Sequence, residues 1–550
     1  MAALNSLSRR GFFKLAGASA AAAGIAGALT ACSGGSNEES GAPSGKEAKD
    51  QVIVTMTPSS EPAAGFDPLV AWGCGEHVHE PLIQSTLITT DTDLEFVNDL
   101  ATSYSCTEDG MTWTFTIRDD VKFTDGEPLT SEDVVFTING IIESEASEAD
   151  LSMIEKAVAV DPTTVELHMV KPNNALLYTL AVVGIVPAHA YDENYGSNPI
   201  GSGRYMLEQW DRGQQVILTA NPDYYGEAPK MKRVIVLFME EDASLAAASA
   251  GQADVAYTSA TFAANAPAGY TLLDCKSVDS RGISLPSLPT GGTKEDAGTV
   301  YDTGNDFTAD IAIRRAMNCA VDRQRMIDNV LNGYGTVAYS VGDGMPWSSE
   351  DMKVETDVER AKELIASAGW VPGDDGILAK DGVRASFELL YSAGDSVRQA
   401  LCMDFADQMR PFGIDISVRG ASWDEIYPEQ YRTPILWGWG SNSPVEMFEM
   451  SYSTGWGNYP CYSDPTIDAN LDAARAQADI KDSYAYYKKA QWDEATKTGV
   501  APQGASTWIW LANVDHLYFQ ADGLKVAKQK PHPHGHGWSI VNNVDQWSWA

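Results

Sequence analysis

The sequence predicts a mixed α/β fold, because strand-like and helix-like patterns alternate along the chain. Residues 111–123 place aromatic and aliphatic side chains on one face and threonines on the other, as a half-buried strand does. Residues 234–239, 244–251 and 254–257 then follow the order strand, short helix, strand. This order predicts a small βαβ unit.

Sequence patterns predict further strands, helices and loops along the chain. Residues 51–57 predict an opening strand. Thr130 with Asp133, and Thr356 with Glu359, form capping boxes ahead of apolar residues at helical spacing. A third buried helical stripe is formed by Ile313, Ala316, Met317, Ala320 and Val321. Two segments rich in Gly, Pro and Ser predict loops, and the first of them a lobe boundary: 284–305 and 341–350.

The amino-acid composition indicates the class of protein and excludes one class of partner. The 550 residues are 44% apolar and 21% charged, which is typical of a globular protein. The net charge of -38 would repel a phosphate backbone, so nucleic acid is not an expected partner.

The first 31 residues predict an export signal. Arg9 and Arg10 precede an uncharged run from 15 to 31, which ends beside Cys32 in the sequence LTAC. This order is typical of a secretory signal peptide, and the two motifs resemble a twin-arginine signal and a lipobox. We therefore expect Cys32 to be lipidated, rather than to serve as a structural thiol, and residues 32–50 to form a lipid anchor with a flexible tether.

Six further cysteines could pair in fifteen ways, and the sequence does not choose among them. They are Cys74, Cys106, Cys275, Cys319, Cys402 and Cys461.

Motifs of common hydrolases are absent from the sequence. It contains neither a phosphate-binding G-x-x-x-x-G-K-S/T loop nor a G-x-S-x-G nucleophile elbow. The segment HEPLI at His79 lacks the second histidine of a zinc protease. A catalytic site assembled from distant loops would leave no such trace.

Several long segments resemble the family 5 extracellular solute-binding proteins of peptide, nickel and opine ABC importers. The segments are WTFTIRDDVKFTDGEPLTSEDVVFT at 113–137, IGSGRYMLEQW at 200–210, NPDYYGEAPKMKRV at 221–234, IRRAMNCAVDRQRMI at 313–327 and DVERAKELIASAGW at 357–370. Within the family, residues 65–87 and 181–191 are most similar to the branch that binds nickel and metallophores.

The resemblance implies a type II (cluster C) periplasmic-binding-protein fold of two hinged α/β lobes with an additional inserted domain. Lobe I would be discontinuous and comprise 51–90, 195–278 and 516–550, with 91–194 as its extra subdomain. Lobe II would span 279–515.

The resemblance also suggests ligand-binding residues in two segments. Trp72, His77 and His79 would lie near the cleft, although the histidines could instead be loop residues bonded to the backbone. In the segment 436–448 we expect ligand contacts from Trp439, Asn442 and Glu446. We expect Trp437 to be a core residue on the opposite face of the strand.

Some nickel binders hold chelator carboxylates with an arginine. Arg281 and Arg419 are candidates for this role, but a solvated surface position is the expectation for each.

Three histidines near the carboxyl terminus form a candidate metal site. His532, His534 and His536 alternate along the chain, so an extended segment would turn all three to one side. Imidazole suits Ni²⁺, Zn²⁺ and Cu²⁺. The alternatives are a structural loop, whose histidines meet backbone and water, and contact with a peptide ligand.

Together these features predict a lipid-anchored, monomeric binding protein on the extracytoplasmic face of the cell membrane. It would capture a metal chelate, such as a nickel complex, or a di- or oligopeptide, and deliver it to an ABC permease. It would be no enzyme and need no cofactor, with nickel or another transition metal bound only as part of the ligand. The alternative is a secreted metal-dependent hydrolase built around the histidine-rich segment.

Overall fold

The computed structural model describes residues 49–70, 73–74, 77–144, 146–296, 298–535 and 537–550, without the side chains of 73–74 and 77–78. The strands up to residue 275 are β1 (Gln51–Met56), β2 (Gly73–Cys74), β3 (His77–Val78), β4 (Ile88–Thr90), β5 (Phe96–Asn98), β6 (Ala101–Cys106), β7 (Thr112–Ile117), β8 (Ile154–Asp161), β9 (Thr164–Met169), β10 (Tyr205–Asp211), β11 (Gln215–Ala220), β12 (Arg233–Phe238), β13 (Val255–Thr258) and β14 (Tyr270–Cys275). The later strands are β15 (Ser280–Ser284), β16 (Gly292–Asp296), β17 (Thr299–Thr303), β18 (Gly335–Val337), β19 (Val371–Pro372), β20 (Leu378–Lys380), β21 (Val383–Arg384), β22 (Ser386–Ser392), β23 (Asp415–Ala421), β24 (Ile435–Trp439), β25 (Trp508–Val514), β26 (His516–Ala521), β27 (Leu524–Lys525) and β28 (Ser548–Trp549).

The α-helices lie between these strands and pack on the sheets. They are α1 (Ser131–Glu143), α2 (Leu176–Leu180), α3 (Glu241–Ser249), α4 (Ile311–Ala320), α5 (Arg323–Asn329), α6 (Val358–Ser367), α7 (Ser396–Met409), α8 (Trp423–Ile426), α9 (Val445–Ser451), α10 (Pro465–Arg475) and α11 (Ile480–Gln491).

Two large mixed sheets form the framework. The first has seven strands in the order β10-β11-β12-β1-β13-β26-β14, with β1 parallel to both β12 and β13. The second has six strands in the order β18-β25-β15-β24-β22-β23, with β22 parallel to β23 and β24. A smaller antiparallel sheet, β6-β7-β9-β8, packs with α1 around its own core.

The chain passes between the two large sheets at two places. Residues 276–279 join β14 to β15, and Asp515 joins β25 to β26. We call these residues the two connections. Because both connections are short, the end of the seven-stranded sheet lies beside the end of the six-stranded sheet.

The six-stranded sheet is covered on both faces, as expected for a sheet with parallel strands. Along β22, Leu389 belongs to one buried cluster and its neighbour Leu390 to another. Along β24, Leu436 belongs to the first cluster, whereas Ile435 and Trp437 belong to the second. Alternating side chains therefore build two separate cores on one sheet.

The structure confirms two predicted elements. Helix α1 begins after Thr130, and the Asp133 carboxylate accepts from the backbone N–H of Thr130 at 2.9 Å, as in a capping box. The predicted βαβ unit is β12, α3 and β13, although β1 lies between its two strands in the sheet.

Two sequence expectations are wrong in detail. The cap of α6 is Asp357, which accepts from the backbone N–H of Arg360, whereas the Thr356 hydroxyl donates to Val321 O. The predicted loop at 284–305 contains the hairpin β16–β17, and the chain crosses between the sheets earlier, at 276–279. Turn residues mark the ends of a hairpin as readily as a loop.

Within the part of the chain that the structure describes, no helix is long and apolar enough to cross a bilayer. Five of the six cysteines considered above are free thiols: Cys106, Cys275, Cys319, Cys402 and Cys461.

Candidate ligand-binding site

A segment near the carboxyl terminus, residues 530–535, runs beside the first connection between the sheets. The His532 N–H donates to Lys276 O, and the Val278 N–H donates to His532 O, both at 2.9 Å. These two backbone hydrogen bonds fix the position of the segment. Its side chains are thereby held where the two large sheets meet.

Asp279 is the centre of a buried polar cluster at this place. Its carboxylate accepts hydrogen bonds from His534 Nδ1 at 2.6 Å, from His516 Nε2 at 3.0 Å and from both terminal nitrogens of Arg281. Burial opposes ionisation of the carboxyl group. The charge of Arg281 and the contacts with the two histidines outweigh burial and hold the pKa of Asp279 well below its usual value.

A second histidine pair extends the cluster. His516 contacts the Asp279 carboxylate through Nε2, and its Nδ1 lies 3.2 Å from His532 Nδ1. Burial, and then the neighbouring His516, lower the pKa of His532 well below its usual value. His532 is therefore neutral at pH 7, and its Nε2 lies 3.4 Å from Gln529 Oε1.

Arg398 lies in the first turn of α7, directly after the strand β22, and is 5% exposed. Its guanidinium lies 5.6 Å from the ring of Trp423. Arg398 Nε is 3.1 Å from Asp395 Oδ2 but lacks the geometry of a hydrogen bond, and in the described part of the chain Nη1 has no hydrogen-bond partner. Leaving a buried guanidinium nitrogen unbonded is costly, so this side chain is prepared to bind an acceptor.

Gly438 on β24 makes room for three side chains to converge. A Cβ atom at this position would lie 2.5 Å from His534 Cε1, 2.6 Å from Arg398 Nη2 and 2.8 Å from Arg281 Nη1. Each distance is shorter than a van der Waals contact. Glycine is therefore required for the two guanidinium groups and the imidazole to share this space.

The loop after β24 is tied to Glu446 and to the carboxyl-terminal segment. Gly440 has a φ of 139°, and its N–H donates to Glu446 Oε2 at 2.7 Å. Its carbonyl accepts from the His534 N–H at 2.5 Å. Burial, and then the charge of Asp279, raise the pKa of Glu446 to about 8. Glu446 is therefore largely protonated at neutral pH.

Two other predicted residues lie in or beside this loop: Trp439, at the end of β24, is buried, and Asn442 is half-buried. Trp439 is 3% exposed, contacts Trp456 at 5.1 Å between ring centroids, and has no partner for Nε1. Asn442 donates through Nδ2 to Pro531 O at 2.9 Å, and its Oδ1 has no partner. The indole N–H and the amide oxygen are thus a donor and an acceptor still to be satisfied.

His79 lies on the other side of the segment 530–535. It is 4% exposed, and a Cβ atom on Gly535 would lie 2.7 Å from His79 Cε1. Burial, and then the nearby His534 and His516, lower the pKa of His79 to about 4. Among the described residues its Nε2 has no hydrogen-bond partner, so a neutral imidazole nitrogen is left to contact a ligand.

The structure thus brings His79, Asn442, Glu446 and His534 to the junction of the two sheets. Trp439 instead packs against Trp456 and Tyr459, on the face of β24 opposite to that of Gly438. Trp72, His536 and Cys32 lie outside the described residues, as do the proposed signal and nearly all of the tether. For His77 only the backbone position, in β3, is described.

The two described histidines of the proposed metal triad face different partners. The ring of His534 contacts Asp279, and that of His532 contacts His516. Among residues 49–550, outside the gaps named above, no three His, Cys, Asp or Glu side chains are placed to hold a metal ion. Because His536 lies in one of those gaps, the three-histidine site stays a prediction.

Sequence reasoning misplaced Arg281 and assigned Trp437 to the wrong face of its strand, whereas its expectation for Arg419 holds. Arg281 was expected at the surface but is 7% exposed, because Asp279 neutralises it. Arg419 does lie at the surface, paired with Glu388 at 3.0 Å. Trp437 is a core residue, as expected, but it shares a face with Trp439, since residues two apart on a strand point the same way.

Asp279, His516 and Arg398 were not anticipated. Arg398 had one local signal: it follows Asp395, which caps α7 at the carboxyl end of the buried strand β22. Side chains at that edge of a parallel sheet commonly face a ligand.

Known proteins resemble the chain over most of its length. The family model of the bacterial extracellular solute-binding proteins, family 5 Middle, matches residues 95–459. Protein XP55 of Streptomyces lividans is 34% identical over 92% of this chain and 90% of its own. The oligopeptide-binding protein AppA of Bacillus subtilis is 28% identical over 82% of this chain and 86% of its own.

A solved structure with a similar fold is NikZ from Campylobacter jejuni in complex with Ni(L-His). Its TM-score is 0.75 at 24% identity, and the match covers 91% of this chain and 99% of that one. The arrangement of two mixed α/β lobes is therefore that of the type II periplasmic binding proteins. Taken with the family match and the relatives, this shows that the chain belongs to the family 5 extracellular solute-binding proteins.

Proposed function

We propose that the protein is the substrate-binding component of an ABC importer and captures a small solute that carries a carboxylate group, held by Arg398. The observation that carries this proposal is the unbonded Nη1 of a guanidinium that is 5% exposed. Arginine binds carboxylates through two parallel hydrogen bonds, and burial strengthens them.

The surrounding charges support an anionic ligand. Asp279 already neutralises Arg281, and Asp395 Oδ2 lies 3.1 Å from Nε of Arg398. A ligand carboxylate that reaches Nη1 of Arg398 would satisfy this nitrogen and leave the pair of Asp279 and Arg281 intact. The buried arginine therefore retains capacity for one further acceptor.

Glu446 is a poor partner for the amino terminus of a peptide. Its carboxyl group accepts from the Gly440 N–H, and its pKa of about 8 makes it largely neutral at pH 7. An ammonium group in a buried site requires an ionised carboxylate. Of the two expected ligand classes, we therefore favour a metal chelate over a di- or oligopeptide.

His79 gives a chelate a second point of contact. Its pKa of about 4 keeps the ring neutral at physiological pH, and its Nε2 has no partner among the described residues. A neutral imidazole can ligate Ni²⁺ or accept a hydrogen bond from a chelator. Ni(L-His), the ligand of the structurally similar NikZ, carries both a metal and a carboxylate and is the first probe to test.

Cellular placement forms part of the same proposal. A lipid on Cys32 and a tether to residue 50 would hold the domain outside the membrane, beside its permease. Replacing Cys32 with Ala should release the protein from the membrane fraction, and replacing Arg9 and Arg10 with Lys should retain the precursor in the cell. Protein that stays membrane-bound without Cys32 would contradict the lipid anchor.

Binding is tested by calorimetry of the purified protein with nickel and L-histidine, L-histidine alone, free nickel and a tripeptide. We expect saturable binding of the chelate, no turnover of any probe, and a loss of at least tenfold in affinity in Arg398→Gln, about the worth of one charged hydrogen bond. Arg419→Gln, which alters a surface arginine, is the control. Equal affinities in the two variants would reject the role of Arg398, and hydrolysis of the tripeptide would favour the secreted hydrolase.

A further inference from the structure

Asn174 links two parts of the molecule, which we call its two halves: the part built around the sheet β6-β7-β9-β8, and the part around the six-stranded sheet, to which α10 belongs. It lies between β9 and α2, and its backbone N–H donates to Arg475 O at 2.9 Å. Its side-chain Nδ2 donates to Ala474 O at 3.2 Å and to Gln477 O at 3.0 Å. All three acceptors lie at or just beyond the carboxyl-terminal end of α10.

This contact supplies a helix cap from another part of the chain. The last carbonyls of an α-helix lack the N–H partner that a further turn would supply. In α10 the Ala474 carbonyl also accepts from the Ala476 N–H, so Asn174 adds hydrogen bonds to this helix end. Here one asparagine, about 300 residues away in the sequence, meets three carbonyls and is itself 4% exposed. The dry setting increases the value of each hydrogen bond.

The acceptor side of the contact is held rigidly. The guanidinium of Arg475 lies 3.1 Å from the ring centroid of Phe448, and Nη2 is 3.3 Å from Glu449 Oε1. Both of these partners are on α9, the helix that also carries Glu446. The carbonyl that Asn174 meets is therefore fixed to the same helix as a residue of the candidate ligand site.

Two ion pairs near Asn174 contribute less than it does to holding the two halves together. Lys171 with Asp472 and Lys481 with Glu95 also link these two parts, but each of these four side chains is at least 45% exposed. Exposed ion pairs of this kind contribute little to stability. Asn174 is the buried contact among them.

We propose that Asn174 is the latch of the closed protein: it caps α10 when the two halves meet and is released when they rotate apart about the two connections. The inference rests on the proposed function, because a latch sets how long a trapped solute is retained. When the two halves separate, water must replace the three hydrogen bonds that Asn174 donates, and this exchange gives the contact its stabilising effect on the closed protein.

Hydrogen exchange tests the latch without a ligand. We compare the full-length protein with Asn174→Ala, Asn174→Asp and the control Asn198→Ala, an exposed asparagine of the same half. In both Asn174 variants, amides of 170–180 and 472–484 should exchange about tenfold faster, the effect of losing two hydrogen bonds. Unchanged exchange there, or equal acceleration throughout β7 and β24, would overturn the proposal.

Release of a probe gives an independent readout. In a chase experiment with nickel and L-histidine, the Asn174 variants should release the probe about tenfold faster with a similar association rate, as is usual when a contact of the bound state is lost. Normal release would reject the latch and leave the binding function standing. Failure of the unaltered protein to bind the probe would count against the proposed ligand, and the exchange result would then decide the latch by itself.

Discussion

Arg281 donates to both carboxylate oxygens of Asp279, two residues before it, and this buried pair lies where the chain passes from the seven-stranded to the six-stranded sheet. The two side chains are 9% and 4% exposed. His516, the first residue after the second connection, donates to the same carboxylate. One ionised aspartate thus ties both connections together.

Asp279→Asn should destabilise the fold strongly, by about 3 to 5 kcal/mol, because it leaves the Arg281 charge buried and unpaired. Since the pKa of Asp279 is lowered by folding, its stabilisation is complete above the usual aspartate pKa and is lost as pH falls through the folded value. Urea unfolding from pH 7 down to pH 3 measures both effects. The exposed Asp119→Asn is the control, and equal free energies of unfolding in the two variants would contradict the prediction.

Gly438→Ala should disturb the site more than the fold. The added methyl group would press against His534, Arg398 and Arg281, so we expect a loss of about 1 to 3 kcal/mol in stability. Because Arg398 must move, affinity for a carboxylate probe should also fall. Gly373→Ala is the control, since its Cβ would approach no atom closer than 3.1 Å. A fully stable variant with unchanged binding would show that the three side chains are not confined as described.

The sequence predicts local elements of this protein better than its site. Thr130 and Asp133 predict the start of α1 because both partners of a capping box lie within one helical turn. Asp279, Arg398 and His534 meet only because two sheets and the carboxyl-terminal segment converge, and no spacing rule connects residues more than 100 positions apart. Arg281 shows the consequence: its burial depends on a partner whose own position is set by the fold.

His79 should make stability dependent on pH. Folding lowers its pKa to about 4, so the folded state binds fewer protons than the unfolded state between that value and the usual 6.5. Stability therefore falls as pH drops, and His79 alone should account for about 2 kcal/mol between pH 7.5 and pH 5. Unfolding of the unaltered protein and of His79→Gln at both pH values isolates this contribution. If the pH dependence of the variant equals that of the unaltered protein, His79 is not buried in a neutral form.

The histidine-rich segment gives the sharpest test of metal contact. The ring nitrogens of His532 and His534 that are nearest to protein groups are engaged with His516 and Asp279, so we expect these two residues to position the site rather than to bind metal alone. Replacing His532, His534 and His536 together with Ala, and titrating nickel and nickel with L-histidine at pH 7.5 and 5.5, separates the two roles. Metal ligation requires neutral imidazole, so direct contact predicts that affinity weakens at the lower pH in the unaltered protein and that this pH dependence disappears in the variant. If affinity is the same in both proteins at both pH values, the segment has a structural role, and His79 with the loop at Trp439 becomes the place to look for the ligand.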